Sequence, residues 1–175
     1  MRKSLSTLII LFTCIVLFNT VYAGGITRPH KAKSYLKLNT DSLSADSIIQ
    51  FAQSLIGIPY RPGSSDPLLG FDCSGFVNYV FKKFNFDVPR SSCEFIDIGE
   101  KIKLEDAKPG DIILFTGTKK HTRKIGHIGI VFCNECGEVK FIHSTSGKEY
   151  CVKITAMDDN YKHRFVQVIR LVRRG

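Results

Sequence analysis

The chain has 175 residues, and its 25 lysines and arginines exceed its 16 acidic residues to give a formal net charge of +9. A basic surface can attract anionic polymers, but the sequence contains no nucleic-acid-binding module, so we expect no nucleic-acid partner. Only one segment, at the N-terminus, is apolar enough to be compared with a membrane span.

This N-terminal segment has the pattern of a secretory signal. Two basic residues precede an apolar run over residues 8–21, and small residues follow it, so we predict cleavage after Ala23. One alternative is an uncleaved anchor, although the run is short for a bilayer span. Another is a lipoprotein anchored through Cys14, although Thr13 is a poor residue before a lipidated cysteine. We expect an exported protein, periplasmic or extracellular, without stable membrane insertion after cleavage.

Removal of the signal peptide, residues 1–23, leaves 152 of the 175 residues and a net charge of +7. Residues 24–43 are polar and basic without a clear period, which indicates a polar tether. Residues 44–175 have the length of one ordinary domain and can bury a core of their own. We expect this domain to be a monomer.

Two helices are predicted in the first half of the domain. Apolar residues recur at helical spacing from about Ser44 until Gly57 and Pro59 end the first helix. A loop rich in Pro, Gly and Ser follows over residues 60–70, and the second helix begins after Asp72, which stands where an N-cap belongs. The residues expected to face the core are Ile48, Phe51, Ala52, Leu55 and Ile56 in the first helix and Phe76, Val77, Val80, Phe81 and Phe84 in the second.

The second half of the domain changes to a strand pattern. Short β-rich runs separated by turn residues are typical of antiparallel strands. Two helices followed by such strands predict a compact α+β domain, with the helices packed on one side of a curved antiparallel sheet. The predicted strands cover residues 112–115, 128–133, 139–143, 150–154 and 165–172.

Cys73 is the strongest candidate for chemistry in the chain. If Asp72 caps the second helix, Cys73 lies in its first turn, where free N–H groups and the helix dipole favour a thiolate. Gly75 would permit close approach of another backbone. The alternative is a small buried cysteine that fills a gap in the core, and Cys73 taken alone does not decide between the two.

Two histidines offer the base that a thiol nucleophile needs. His127 stands at the head of one predicted strand, and His143 ends the next. If Cys133 pairs with Val139, His143 lies opposite Gly129, and both imidazoles project from the same face. A connecting loop with an odd number of residues places both imidazoles on the same face, whereas an even number places them on opposite faces. In the first case His143 can orient His127 as the third member of a triad.

The other cysteines of the exported chain are expected to be structural. If Cys73 is a catalytic thiol, four other cysteines remain, enough for two disulfides in an oxidising compartment. The sequence does not determine their pairing. Cys133 and Cys136 could also be half of a zinc site or a redox pair. No second pair has suitable spacing for zinc, and a predicted turn is not a helix start, so we expect no metal. The four are Cys93, Cys133, Cys136 and Cys151.

Four motifs in the right order resemble the signature of the NlpC-like cell-wall endopeptidases. The likeness extends from about residue 44 to residue 173, nearly the whole exported chain. The motifs are DCSGFV at 72–77, KPGDIILF at 108–115, HIGIV at 127–131 and FIH at 141–143, with GIPYRPG at 57–63 and PRSS at 89–92 matching as well.

The resemblance implies a papain-like cysteine peptidase that needs no cofactor. Family members typically cleave peptidoglycan stem peptides between γ-D-glutamate and the diamino acid, so stem peptides or muropeptides are the expected partners. The alternatives are a catalytically silent wall-binding module and a thiol acyltransferase or amidase on the same fold. The implied residues are the triad Cys73, His127 and His143, the oxyanion tyrosine Tyr60, and Asp72 and Ser74, which match residues that bind the free amine of an N-terminal L-alanine.

Overall fold

The computed structural model describes residues 45–118, 122–135 and 137–171. The predicted signal peptide (1–23), the polar tether (24–43) and Cys136 lie outside the described residues. No helix within the described ranges is both long enough and apolar enough to cross a membrane. The helices in these ranges are α1 (Ala45–Gln53), α2 (Cys73–Lys83) and α3 (Asp159–Arg164), with 3-10 turns at Ser92–Asp97 and Leu104–Asp106.

Helix α1 forms where the sequence predicts it but ends earlier than the apolar pattern suggests. Ile48 and Ala52 are fully buried on its inner face. After Gln53 the chain continues in turns, and Gly57 takes a φ of +88°, which glycine adopts without strain. Because helical spacing does not continue beyond Gln53, Ile56 turns outward and is 48% exposed, so its assignment to the core is wrong.

Helix α2 begins directly after Asp72, as predicted. Asp72 has extended backbone angles, and its side chain accepts a hydrogen bond of 2.6 Å from the Gly75 amide, which is one of the free N–H groups of the first turn. The inner face of α2 packs into the main core, where its fully buried residues are Phe76, Val77, Val80 and Phe81.

The sheet follows the predicted α+β architecture. Strands β3 to β8 pair antiparallel throughout in the order β3-β8-β4-β5-β6-β7, and β1 and β2 form a separate small hairpin. The sequence pattern missed β1, β2 and β3, which have only two or three residues each. The bounds are β1 (Ser65–Asp66), β2 (Gly70–Phe71), β3 (Glu100–Ile102), β4 (Ile112–Thr116), β5 (Ile125–Glu135), β6 (Glu138–Ser144), β7 (Val152–Ala156) and β8 (Phe165–Arg170).

Both faces of the six-stranded sheet are covered. Alternate residues of β4 point to opposite faces, so Ile112 and Leu114 join the core beneath α1 and α2. Ile113 and Phe115 join a second core on the other face, against which Tyr161 of α3 packs. The two long helices lie on one face as expected, while α3 was not predicted because its six residues include no buried position.

The register of β5 and β6 agrees with the prediction near the histidines and differs from it near the turn. Ile130 pairs with Ile142, the register that places Gly129 opposite His143. Towards the turn Cys133 pairs with Lys140 instead of Val139, because a β-bulge interrupts the ladder between Val131 and Cys133.

The bulge changes the expected relation between the length of the β5–β6 connection and the face on which the two imidazoles lie. Only two residues separate Glu135 and Glu138, an even number that should place the histidines on opposite faces. The extra residue in the bulge shifts the alternation by one position and restores the shared face. The predicted geometry is therefore present, but for a reason that loop length alone could not supply.

The KPGD segment is structural. Asp111, only 3% exposed, accepts a hydrogen bond of 2.8 Å from the Lys108 amide and closes the turn that precedes β4. Arg170 of β8 donates to both oxygens of this carboxylate, at 2.8 Å from Nε and 2.7 Å from Nη2. This bidentate ion pair, in which Asp111 is buried and Arg170 is partly exposed, joins the neighbouring strands β4 and β8.

We predict that Asp111→Ala lowers the free energy of unfolding by about 1.5–3 kcal/mol, because the change removes the charge-assisted hydrogen bonds that Asp111 accepts from the partly exposed Arg170 guanidinium. The matched control is Glu105→Ala, which removes an exposed pair with Lys103 at 3.9 Å and should change stability by less than about 1 kcal/mol. Urea unfolding measures both. Equal effects of the two variants would contradict the assignment.

Candidate active site

The first turn of α2 is held against another stretch of backbone. A Cβ added at Gly75 would lie 2.0 Å from the carbonyl oxygen of Ser64, a distance no side chain can occupy. The same carbonyl accepts a hydrogen bond of 2.9 Å from the Asp72 amide. The predicted close approach at Gly75 is therefore confirmed. Because Asp72 and Gly75 both lie against the Ser64 carbonyl, the position of the half-buried Cys73 between them is fixed.

Arg90 completes the surroundings of the Asp72 carboxylate. It donates from Nη1 to Oδ1 at 2.9 Å and from Nη2 to Oδ2 at 2.7 Å, and Nη1 also lies 3.0 Å from the Ser74 hydroxyl. Asp72 Oδ1 thus has the Gly75 amide, Ser74 and Arg90 around it, whereas Oδ2 has Arg90. The PRSS motif pointed to this region, but sequence reasoning gave Arg90 no role.

The thiol of Cys73 is not the resting thiolate that its helical position suggests. Burial raises the pKa of Cys73, and the neighbouring Asp72 carboxylate raises it further. Backbone N–H groups of Ser74, Ile128 and Cys73 itself act in the opposite direction, with smaller effect. The expectation of a thiolate overlooked desolvation and the Asp72 charge, which together outweigh the effect of these backbone N–H groups on the pKa of Cys73.

The contact with Ile128 also locates the thiol relative to the sheet. The Ile128 amide is close enough to Cys73 to influence its pKa, and His127 is the preceding residue of β5. The start of α2 therefore lies against the part of β5 that carries His127.

His127 and His143 share a short hydrogen bond. His127 Nε2 and His143 Nδ1 are 2.7 Å apart, with the two rings nearly perpendicular. His143 Nε2 in turn lies 2.9 Å from Thr155 Oγ1 on β7. Because Nε2 of His127 is occupied by His143, Nδ1 is the nitrogen left for another partner.

The histidine pair is surrounded by aromatic rings and held neutral. Phe115, Phe141 and Tyr161 lie within 4.7 to 6.1 Å of one or both imidazoles, ring centroid to centroid. Burial lowers the pKa of His127 to about 3, with a smaller contribution from the charge of nearby Arg164. Burial also lowers the pKa of His143 well below its ordinary value.

Tyr60 lies beside the start of α2. Burial raises the pKa of Tyr60, and the nearby Cys73, Asp72 and Tyr150 raise it further, so the phenol stays protonated and can donate. Its ring meets that of Tyr150 edge to face, with centroids 5.2 Å apart. Tyr150 is 49% exposed and has a φ of +52°, an unusual conformation for a bulky residue.

Hydrogen bonds connect the segments that carry these site residues. The Ser144 hydroxyl donates to the Phe71 carbonyl at 2.7 Å, so the residue after His143 is fastened to the segment that leads into α2. The Tyr60 amide donates to the Tyr150 carbonyl at 2.8 Å, and Tyr60 also bridges to Phe71. Segments far apart in sequence thus meet at the N-terminus of α2.

The structure groups the predicted site residues into two neighbouring sets. Tyr60, Asp72, Cys73 and Ser74 surround the start of α2. His127 and His143 stand together on the sheet among the rings of the second core, and the amide of Ile128, the residue after His127, contacts the Cys73 thiol. The sequence placed Arg90 in the PRSS motif without giving it a role, and Thr155 was missed because no motif contains it.

The cysteines outside the site differ from expectation. Cys93, Cys133 and Cys151 are free thiols in the described part of the chain, so no disulfide forms among these three residues. Across the same ranges, no group of three or more His, Cys, Asp or Glu side chains is arranged to hold a metal ion.

Comparison with known sequences gives a consistent family match. Residues 57–170 match the model of the NlpC/P60 family. The chain is 33% identical over 153 residues to a gamma-DL-glutamyl hydrolase of Bacillus subtilis (strain 168), covering 82% of this chain and 35% of that protein. It is 32% identical over 143 residues to a probable endopeptidase NlpC homolog of Haemophilus influenzae, covering 79% of this chain and 70% of that protein.

A further relative is the murein DD-endopeptidase MepH of Escherichia coli (strain K12), 30% identical over 155 residues, which cover 86% of this chain and 51% of that protein. The chain therefore spans between a third and about half of the length of the first relatives it matches. Among solved structures, the NlpC/p60 domain of the peptidoglycan hydrolase SagA is similar with a TM-score of 0.60 and 28% identity, over 74% of this chain and all of that one.

The lowered histidine pKa values predict a pH-dependent stability. Below pH 6.5 the unfolded chain protonates both histidines while the folded chain resists protonation, so stability should fall as pH falls from 6.5 towards 3 and be unaffected by them above 6.5. Urea unfolding between pH 7.5 and 5 measures this slope. His127→Gln should flatten it in part, whereas the exposed control His163→Gln should keep it; an unchanged slope in His127→Gln would contradict the assignment.

Proposed function

Because the chain belongs to the NlpC/P60 family, we propose that it is an exported cysteine endopeptidase that hydrolyses peptidoglycan stem peptides. In this proposal Cys73 is the nucleophile, His127 is the general base, and His143 orients His127. The observation that carries the proposal is the hydrogen bond between His127 Nε2 and His143 Nδ1, which leaves Nδ1 of His127 for another partner. His127 precedes Ile128, and the Ile128 amide contacts the thiol.

The pKa directions favour general-base attack from a neutral pair. Cys73 rests as a thiol because burial raises its pKa, and His127 rests as a neutral imidazole because burial lowers its pKa. A neutral imidazole nitrogen has a lone pair that can receive the thiol proton as sulfur attacks. The proton therefore moves during attack, and no ion pair needs to exist beforehand.

The reaction then proceeds in two halves. Sulfur bonds to the amide carbon, the thiol proton passes to His127 Nδ1, and the tetrahedral oxyanion accepts hydrogen bonds from the Cys73 amide and the Tyr60 phenol. The C–N bond breaks as His127 gives that proton to the leaving amine, which leaves a thioester on Cys73. Water, deprotonated by His127, hydrolyses the thioester to a carboxylic acid and restores the thiol.

For the scissile bond we propose the link between γ-D-glutamate and the diamino acid. Support comes from relatives named gamma-DL-glutamyl hydrolase and, at 29% identity over 127 residues, gamma-D-glutamyl-L-lysine dipeptidyl-peptidase, both from Bacillus subtilis (strain 168). Products of digestion distinguish this bond from the one implied by the name of the murein DD-endopeptidase relative.

Asp72 and Ser74 are proposed to bind the free amine of an N-terminal L-alanine. Asp72 Oδ2 accepts from Arg90 and has lone-pair capacity for an incoming ammonium, while Oδ1 is occupied by the cap and by Ser74. The carboxylate is held rigidly by Arg90, so its orientation does not depend on the substrate.

We expect Cys73→Ala to lower the rate of stem-peptide hydrolysis at least about a thousandfold, because it removes the atom that forms the thioester. The measurement is a digest of defined muropeptides, with products weighed by mass spectrometry. Cys133→Ala, at the far end of β5, is the matched control and should retain activity. Hydrolysis that survives in Cys73→Ala would reject the mechanism. In the digest by the native protein, products joined to an acceptor amine would indicate acyl transfer instead of hydrolysis.

We also expect a preference for a free N-terminus on the substrate. A charge-assisted hydrogen bond of about 1.5–3 kcal/mol corresponds to roughly tenfold to a hundredfold in kcat/KM between L-alanyl and N-acetyl-L-alanyl stem peptides. Ser74→Ala should reduce this ratio while leaving the Asp72 cap in place. Equal cleavage of the two substrates by the native protein would refute amine recognition.

A further inference from the structure

Thr155 is the residue at the end of the histidine chain, and no sequence motif pointed to it. It lies on β7 opposite Phe141 of β6, half-buried, with its hydroxyl oxygen 2.9 Å from His143 Nε2. The hydroxyl is thus in hydrogen-bond contact with the nitrogen of His143 that points away from His127.

The order of the two hydrogen bonds restricts where protons can be. A neutral imidazole has one N–H and one lone pair, so each ring can donate through only one nitrogen. If His127 Nδ1 is to accept the thiol proton, the hydrogen of His127 must be on Nε2, where it is donated to His143 Nδ1. His143 Nδ1 then serves as acceptor, and the hydrogen of His143 must be on Nε2.

A hydrogen on His143 Nε2 needs an acceptor, because this nitrogen is buried. Thr155 Oγ1 provides lone pairs at hydrogen-bond distance. Burial disfavours the alternative in which His143 is protonated on both nitrogens. That state would also direct two N–H groups at each other across the 2.7 Å contact with His127.

We propose that Thr155 is a positioning residue that stabilises the tautomers of both histidines that base function requires. By accepting from His143 Nε2–H it leaves His143 Nδ1 as an acceptor, which in turn holds the hydrogen of His127 on Nε2 and exposes the lone pair of Nδ1. The inference rests on the proposed function, because the tautomers are deduced from the role of His127 as general base, but they can be measured without any activity.

The Thr155 hydroxyl can accept from or donate to His143 Nε2, so it can satisfy either tautomer. Without the hydroxyl, a hydrogen on His143 Nε2 would be a buried donor with no acceptor, so the opposite arrangement becomes favoured. His143 can place its hydrogen on Nδ1 and donate to His127 Nε2, and the hydrogen of His127 then sits on Nδ1. In this arrangement His127 has no lone pair for the thiol proton. The predicted defect is therefore a loss of base function with the substrate site intact.

The test compares Thr155→Val, which has nearly the same shape without the hydroxyl, with Thr155→Ser, which keeps it. We expect Thr155→Val to lower kcat about tenfold to a hundredfold with KM nearly unchanged. Losses of this size are typical when the hydrogen-bond partner of a metal-ligating histidine is removed. Thr155→Ser should recover most of kcat. Urea unfolding of each variant shows whether the fold is retained.

The tautomers are read directly by 15N NMR of the imidazole nitrogens, which requires no activity. In the native protein His143 should carry its hydrogen on Nε2, and in Thr155→Val a population with hydrogen on Nδ1 should appear. Unchanged tautomers in folded Thr155→Val, or an equal kcat loss in the serine variant, would overturn the inference. Full activity of Cys73→Ala in the same assay would instead overturn the proposed function and leave the tautomer result standing.

Discussion

The pairing of β5 with β6 is the constraint on which the site depends. Side chains alternate along a strand, so a slip of one residue would direct His127 and His143 to opposite faces of the sheet. The bulge between Val131 and Cys133 adds the residue that a two-residue turn requires for the shared face. Gly129 fits the same arrangement, since a Cβ there would lie 3.2 Å from the Cβ of His143 and 2.9 Å from the Phe141 ring.

Burial of this pair has opposite effects on stability and on chemistry. His143 is fully buried and His127 is partly covered by aromatic rings, and this burial keeps both histidines neutral, which preserves the lone pair that a general base needs. The same burial makes the folded state less tolerant of acid, because protonation in the unfolded chain is not matched in the folded one. The site thus resembles other functional centres in which local stability is lower than a purely apolar core would give.

Asp72 has several tasks that a single carboxylate performs together. Its carboxylate caps α2, accepts a hydrogen bond from Ser74 and pairs with Arg90. Asp72 directly precedes Cys73 in the chain. Arg90 pairs with the negative charge of Asp72, and the carboxylate raises the pKa of Cys73 less than burial does. The shared carboxylate explains why the nucleophile and the proposed amine site are adjacent.

Much of the architecture could be predicted from local sequence patterns. Helical spacing located α1 and α2, β-rich runs located five of the eight strands in the described residues, and Asp72 was recognised as the cap of α2. These features depend on neighbours within a few residues, which a sequence displays directly. The ordered motifs likewise indicated the family.

Contacts between distant segments were decided only by the tertiary structure. The bulge in β5, the approach of Arg90 to Asp72 and the contact of Thr155 with His143 join residues from different elements, and no periodicity encodes them. The protonation of Cys73 was also misjudged, because a helix end favours a thiolate only where water or donors replace the solvation lost on burial. Sequence determined which groups are available, and packing determined their partners and their charge.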